Sequence, residues 1–244
     1  PFGFCELFDP RFQPWTGGGE HFCFFNQPAA AEANYQMFWS ALRPLLAEGS
    51  EALRELDGIR EGFAEAMQQQ LEAMWARKLG LPAYEEELVN ALLPLMASSE
   101  ADYTILFRRL SDIAGDASAD GASDTPAALA ALKTSFYRPC SEELETRWSR
   151  WLQRWRGVIA SQGAPQETSA AMQGANPAIT WREWLIAPAY EQAAQGDTTL
   201  IRELQAVFSD PYAHPPAALA ARYDRLKPRQ FFQAGGISHY SCSS

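Results

Sequence analysis

Two stretches of helix-period apolar residues constrain this chain more than any other feature. Leu53, Leu56, Ile59, Phe63, Met67, Leu71 and Met74 recur every three or four residues, and so do Leu144, Trp148, Trp151, Trp155 and Val158. Such spacing places each set on one face of an α-helix, whereas a half-buried strand alternates every second residue. A chain patterned this way buries helix stripes against one another, so the predicted class is mainly α. The first stripe predicts one long helix, with Ser50 as its N-cap and Gly80 and Pro82 as its stop. In the second, Arg147, Arg150, Arg154 and Arg156 interleave with the tryptophans. Arginine mixed with aromatics can grip single-stranded nucleic acid. At helical spacing, however, it reads as a buried tryptophan stripe with solvated arginines opposite.

Shorter helices follow from the same reasoning. Tyr35, Phe38, Trp39 and Leu42 share a face, ended near Pro44, and Leu88, Leu92 and Leu95 share another, with a kink expected at Pro94. Ser99-Glu100-Ala101-Asp102 has the form of a capping box before Ile105, Leu106 and Leu110. Asp124-Thr125-Pro126 predicts a helix start, as does Asn176-Pro177 with Thr180 and Glu183 as a box. Gly196 is placed to stop that helix, and Asp197 to cap the next one, which carries Leu200, Leu204 and Phe208. Small-residue stretches at 115–121 and 161–174 read as mobile loops. Residues 1–28 read as extended chain and loop, their aromatic flanks bracketing a Pro/Gly-rich centre. The expected organisation is 1–28, a helical body at 29–234, and a flexible tail at 235–244.

Charge and composition narrow the functional classes. The 244 residues carry a formal net charge of -10 and no basic run, which argues against a nucleic-acid partner. No apolar stretch reaches membrane-spanning length, so no membrane role is expected. The four cysteines, Cys5, Cys23, Cys140 and Cys242, show no Cys-x-x-Cys or metal-site spacing, which fits reduced thiols in the cytoplasm. His21, His214 and His239 form no His-Glu-x-x-His pattern. Cys23 lies among Phe22, Phe24 and Phe25 and reads as a buried thiol rather than a nucleophile paired with His214. Gly17-Gly18-Gly19 precedes Glu20, not the Lys-Ser or Lys-Thr of a phosphate loop. Catalysis therefore has no visible constellation here. With Pro1 in place of Met, the chain is expected to be either processed or a piece of a larger protein.

An ordered set of short motifs is similar to one family. Pro1-Phe2-Gly3-Phe4, Phe25-Asn26-Gln27-Pro28, Lys78-Leu79-Gly80, Ala101-Asp102-Tyr103-Thr104, Phe107-Arg108, Leu110-Ser111, Asn176-Pro177, Trp184-Leu185, Ala193-Ala194-Gln195-Gly196-Asp197 and Cys242-Ser243-Ser244 run in that order. Together they resemble the selenoprotein O (SelO, YdiU-type) protein adenylyltransferases. The resemblance implies the later part of the C-terminal lobe of a protein-kinase-like (pseudokinase) fold plus a helical C-terminal extension. It implies transfer of AMP from ATP, with Mg²⁺ or Mn²⁺, to Ser, Thr or Tyr hydroxyls of protein substrates. The nucleotide- and metal-binding residues would then lie before Pro1, in a missing N-terminal part, so no catalytic or metal residue is expected in this chain. Phe25, Asn26, Gln27 and Pro28 would belong to the activation segment. Cys242 would be a terminal redox residue, with Cys23 or Cys5 as its only plausible partners, because Pro14 stands where some members carry a cysteine. The alternative is a non-catalytic helical interaction module of the same architecture.

Overall fold

The computed structural model describes residues 6–13, 19–116, 125–161 and 163–232. Backbone contacts divide the chain into two units, Pro1–Phe2 with Asp9–Met74, and Gly3–Phe8 with Trp75–Ser244. Among the described residues no sheet forms, and strand pairing is limited to the isolated antiparallel bridges Leu7 with Asp102 and Ala101 with Phe136. The mainly helical class stands.

In the first unit, two short 3-10 turns, Gly19–Phe22 and Phe24–Asn26, lead into α1 (Gln27–Leu42). A further 3-10 turn, Arg43–Leu45, contains Pro44 and ends it as expected. Next come α2 (Glu51–Glu61) and α3 (Phe63–Leu79), whose residues from Trp75 onward belong to the second unit. The Ser50 hydroxyl accepts from the Leu53 amide at 3.2 Å, so the predicted cap is present. The single long helix expected here is instead interrupted at Gly62. Its amide still donates to the Gly58 carbonyl, and its carbonyl accepts from Ala66, both at 3.0 Å. Two glycines one turn apart, Gly58 and Gly62, weaken helix propensity enough for this local break. Tyr35 of α1 stacks on Phe63, with ring centroids 4.8 Å apart. The Trp39 indole donates to Asp57 at 2.9 Å, and the guanidiniums of Arg60 and Arg43 lie 4.4 and 5.3 Å from the Trp39 ring. Phe38 and Ile59, placed on the apolar stripes by spacing, are exposed.

The second unit is organised around α5 (Tyr103–Gly115). Its residues are buried nearly all round, including Ile105, Leu106, Phe107, Leu110, Ile113 and Ala114, which marks a central helix. It packs against α8 (Pro165–Ala175) and α6 (Thr125–Lys133), and α7 (Glu142–Ile159) packs against α6 and α4 (Glu86–Ser98). The tryptophans of α7 face inward as expected, and each indole N–H finds an acceptor. Trp148 donates to the Ser99 hydroxyl at 2.8 Å, Trp151 to the Leu88 carbonyl at 2.9 Å and Trp155 to the Leu79 carbonyl at 2.7 Å. Ile159, not Val158, completes the buried stripe. Arg156 is buried too, so the arginines are not all solvated.

Three sequence expectations are corrected here. Asp102, not Ser99, caps α5, accepting from the Ile105 amide at 3.0 Å, while Ser99 serves Trp148. Residues 161–174, expected as a mobile loop, contain α8. Its small residues let it approach α5 closely, with the Ser169 hydroxyl donating to the Ser111 carbonyl at 2.7 Å. Asn176-Pro177 does not open a helix: Asn176 ends α8, and α9 (Glu183–Ala194) starts later. The remaining elements, α10 (Thr199–Ser209) and α11 (Ala217–Tyr223), share with α9 a satellite core of Ile179, Trp184, Leu185, Ala189, Leu204 and Tyr223. Gly196 ends α9 at φ +91°, as its position predicted. The Asp197 side chain accepts from the Thr199 amide at 2.9 Å, although the capping position itself is Thr198. Most of the 115–121 loop and the whole 235–244 tail lie outside the described residues.

Gly80 ends α3 at φ +64°, and a Cβ there would meet Met172 Sδ at 2.7 Å and Thr168 Cγ2 at 2.9 Å. The left-handed backbone alone disfavours any L side chain by about 1–2 kcal/mol. Gly80→Ala is therefore expected to lower unfolding stability by about 2 kcal/mol or more once the contact with α8 is added. Chemical denaturation of the two proteins checks this.

Candidate functional site

In the first unit, the residues assigned to the activation segment form a turn built by backbone bonds. The Phe24 amide donates to the Phe12 carbonyl and the Phe25 amide to the Pro10 carbonyl, both at 2.9 Å. Asn26 locks the turn from its side chain, donating to the Glu20 carbonyl at 2.8 Å. Gln27 is the first residue of α1, and Pro28 follows inside the first turn, where no amide is required. Cys23 is a free thiol, 4 % exposed, as its aromatic neighbours predicted. His214 belongs to the second unit. Cys5, Cys242 and His239 lie outside the described residues.

In the second unit, the short motifs scattered along the sequence converge on two polar networks. The first is centred on Lys78 and Asn176. The Lys78 ammonium donates to Asn176 Oδ1 at 2.9 Å and stands 4.2 Å from the Phe107 ring centroid and 5.1 Å from that of Tyr103. Asn176 Nδ2 donates back to the Lys78 carbonyl at 2.8 Å and to the Ser111 hydroxyl at 3.1 Å. Buried Arg108 reaches the Asn176, Tyr212 and Gln173 carbonyls at 3.1, 3.2 and 3.4 Å. One guanidinium thus satisfies carbonyls of α8 and two loops, which helices alone would leave unpaired.

Burial pushes the Lys78 ammonium from 10.5 down to about 8. The folded state therefore releases this proton before the unfolded chain does. Below about pH 8 both states are protonated, and the buried charge lowers stability in full. Between about pH 8 and 10.5 the unfolded state binds more protons, so stability rises with pH through this group. Relative to Lys78→Met, the wild type is expected to gain about 1–3 kcal/mol across that window, from roughly 1.4 kcal/mol per unit with an allowance for partial exposure. Denaturant titrations of both proteins at pH 7.5 and 10 read the difference.

The second network holds four charges. Arg182 lies bidentate on Asp102, at 2.6 and 2.9 Å, with both side chains buried. Burial works against the Arg182 charge, but attraction to Asp102, its hydrogen bonds and Glu6 outweigh that and hold the guanidinium above its ordinary range. Lys227 pairs with Glu6 at 3.2 Å, and Arg182 lies 3.9 Å from the same carboxylate. The Tyr137 hydroxyl donates to Asp102 at 3.2 Å and accepts from the Lys227 amide at 2.9 Å. Burial and then Asp102 raise the Tyr137 hydroxyl above its usual range, so it stays protonated. The Thr104 and Thr180 hydroxyls, 3.4 Å apart, adjoin this cluster.

Sequence reasoning named Lys78, Asp102, Arg108, Ser111 and Asn176 within motifs but missed Glu6, Tyr137, Arg182 and Lys227. Arg182, set between Trp181 and Trp184, carried the one readable signal: a charge inside an aromatic segment needs a buried partner. Most of their donors and acceptors bond to one another or to backbone carbonyls, while Glu6 Oε1, Arg108 Nη2 and Arg182 Nε are buried without a hydrogen-bond partner among the described residues. Among the described residues, no group of three or more His, Cys, Asp or Glu is placed to hold a metal ion. Among the described residues, no helix is long and apolar enough to cross a membrane.

Comparison with known proteins gives the family. Residues 1–209 match the family described as protein adenylyltransferase SelO. The chain is similar to the protein nucleotidyltransferase YdiU of Rhodopirellula baltica, at 32% identity over 257 residues, covering 100% of this chain and 46% of that protein. It is also similar to YdiU of Tolumonas auensis, at 31% over 253 residues with 100% and 46% covered, and of Rhizobium etli, at 32% over 244 residues with 94% and 44% covered. The chain thus spans about half the length of the relatives it matches. The motifs of its sequence and the breadth of these matches place it: this chain belongs to the SelO family.

Proposed function

We propose that this chain is the later part of the C-terminal lobe, with its helical extension, of a protein-kinase-like adenylyltransferase. The full protein moves AMP from ATP to Ser, Thr or Tyr hydroxyls of protein substrates and releases pyrophosphate. One observation supports the reading above all others. The motif residues Lys78, Asp102, Arg108, Ser111 and Asn176 bond to one another, to Arg182 and to backbone carbonyls inside the second unit, as expected of a scaffold. The family description names an adenylyltransferase, and the relatives are named nucleotidyltransferases.

The residues described here do not fit the ATP and Mg²⁺ (or Mn²⁺) that the family implies. The two carboxylates of the buried cluster, Asp102 and Glu6, are already matched by Arg182 and Lys227. The reading therefore assigns nucleotide and metal to the part of the protein before Pro1. This chain's contribution is to hold that part and the acceptor in register. Transfer of a nucleotidyl group depends chiefly on positioning and charge neutralisation. ATP labelled at the α-phosphate should transfer label to protein when incubated with the full-length enzyme. Label arriving only from the γ-phosphate would identify a phosphotransferase and defeat the reading.

The same reading assigns a redox role to Cys242, paired with the activation segment. The expected partners are Cys5 and Cys23, of which Cys23 is buried. Mass spectrometry of the oxidised, unreduced full-length protein should show a peptide that joins Cys242 to Cys5 or Cys23. Absence of any Cys242 crosslink would remove the redox element.

A further inference from the structure

The four-charge cluster does something that stability alone does not require. Residues 6–8 run beside α5 as a single extended strip. Backbone bonds tie it there, among them Phe8 amide to Ala101 carbonyl at 2.8 Å and Tyr103 amide to Glu6 carbonyl at 3.1 Å. So short a pairing defines its register weakly, because a slip of one residue would still leave bonds to make. Phe8 adds a buried ring, 6.0 Å from Tyr103. A further restraint is electrostatic. Glu6 meets Lys227 at 3.2 Å and Arg182 at 3.9 Å, two cations supplied from far along the chain. Lys227 is itself fixed through its amide to Tyr137, and Arg182 through Asp102. A carboxylate at this place is an unfavourable choice for packing, since burial raises Glu6 despite both cations. Charged groups of this kind specify a geometry rather than add net stability.

We propose that Arg182 and Lys227 are positioning residues that clamp Glu6 and so fix the register and direction in which the chain enters from its N-terminal side. The proposal rests on the reading above, that the catalytic part precedes Pro1. It deepens that reading by assigning two residues of the helical extension to the alignment of the catalytic part. Neither touches the reacting atoms; both act through Glu6.

The test uses the full-length protein with Lys227→Met, Lys227→Arg and Glu6→Gln. Amide hydrogen exchange at Phe8 and Tyr103 reads the clamp directly. Lys227→Met is expected to speed exchange at both amides about tenfold while distant helices keep their protection. AMP transfer should show kcat lowered about tenfold with the ATP KM unchanged, the pattern of lost alignment. Lys227→Arg should restore both readouts, which a general packing defect would not allow. Should Lys227→Met fail to fold, Glu6→Gln carries the same readouts, because it keeps the shape and relieves the buried charge. Unchanged exchange at Phe8 and Tyr103 overturns the clamp. Faster exchange with kcat intact overturns its role in alignment. If the wild type transfers no AMP, the functional reading fails, and exchange alone then decides the clamp.

Discussion

Replacing Arg182 by Met is expected to lower unfolding stability by about 3–5 kcal/mol, the usual effect of breaking a buried ion pair by removing one partner. The reason lies in what remains. Asp102 is fully buried, and Arg182 supplies both of its charged contacts, at 2.6 and 2.9 Å. Without it, the Asp102 carboxylate keeps only the Tyr137 hydroxyl at 3.2 Å and its capping bond from Ile105. The α5 N-terminus, the Leu7 bridge and the α9 entry all meet at that carboxylate, so the change should reach the whole second unit. Replacing both residues together, Asp102→Asn with Arg182→Met, should recover part of the difference, since no lone charge is left. Urea denaturation of the two variants measures both terms. A single variant within 1 kcal/mol of wild type would show that the pair contributes as weakly as an exposed one, for which about 0–1 kcal/mol is usual.

The second large effect is expected at Trp155. This ring is fully buried, stacks on Trp151 with centroids 5.8 Å apart and donates to the Leu79 carbonyl at 2.7 Å. Trp155→Ala should cost about 3–5 kcal/mol through lost burial and the cavity left behind. Trp155→Phe keeps most of the ring and removes the donor, so the carbonyl at the end of α3 loses its partner. A loss of about 1–3 kcal/mol is expected for that variant. The ordering of wild type, Phe and Ala in thermal melts checks the assignment of the two contributions.

Most helices of this chain were legible because they rest on local information. Caps such as Ser50, stops such as Gly80 and Gly196, and the Trp148–Trp151–Trp155 stripe require only neighbours in sequence. Misreadings arose where the deciding partner is distant. Ser99 looked like a cap because its true partner, Trp148, is 49 residues away. The 161–174 stretch looked like a loop because small residues are common to loops and to closely packed helices, and only α5 decides between them. Asn176 looked like a helix start, yet its side chain bridges Lys78 and Ser111. The family motifs marked several of these residues without revealing their roles. Pairing Glu6 with Lys227, or Asp102 with Arg182, needs the fold itself.

The central claim is that the motif residues of this chain build the scaffold of an AMP-transferring enzyme and take no part in its chemistry. The most direct test is AMP transfer by full-length Lys78→Met, normalised to the folded fraction read from its unfolding curve. The account predicts a rate per folded molecule within about twofold of wild type, as for a substitution away from the reacting atoms. A loss of several orders of magnitude with an intact unfolding curve would place Lys78 in the chemistry and contradict it.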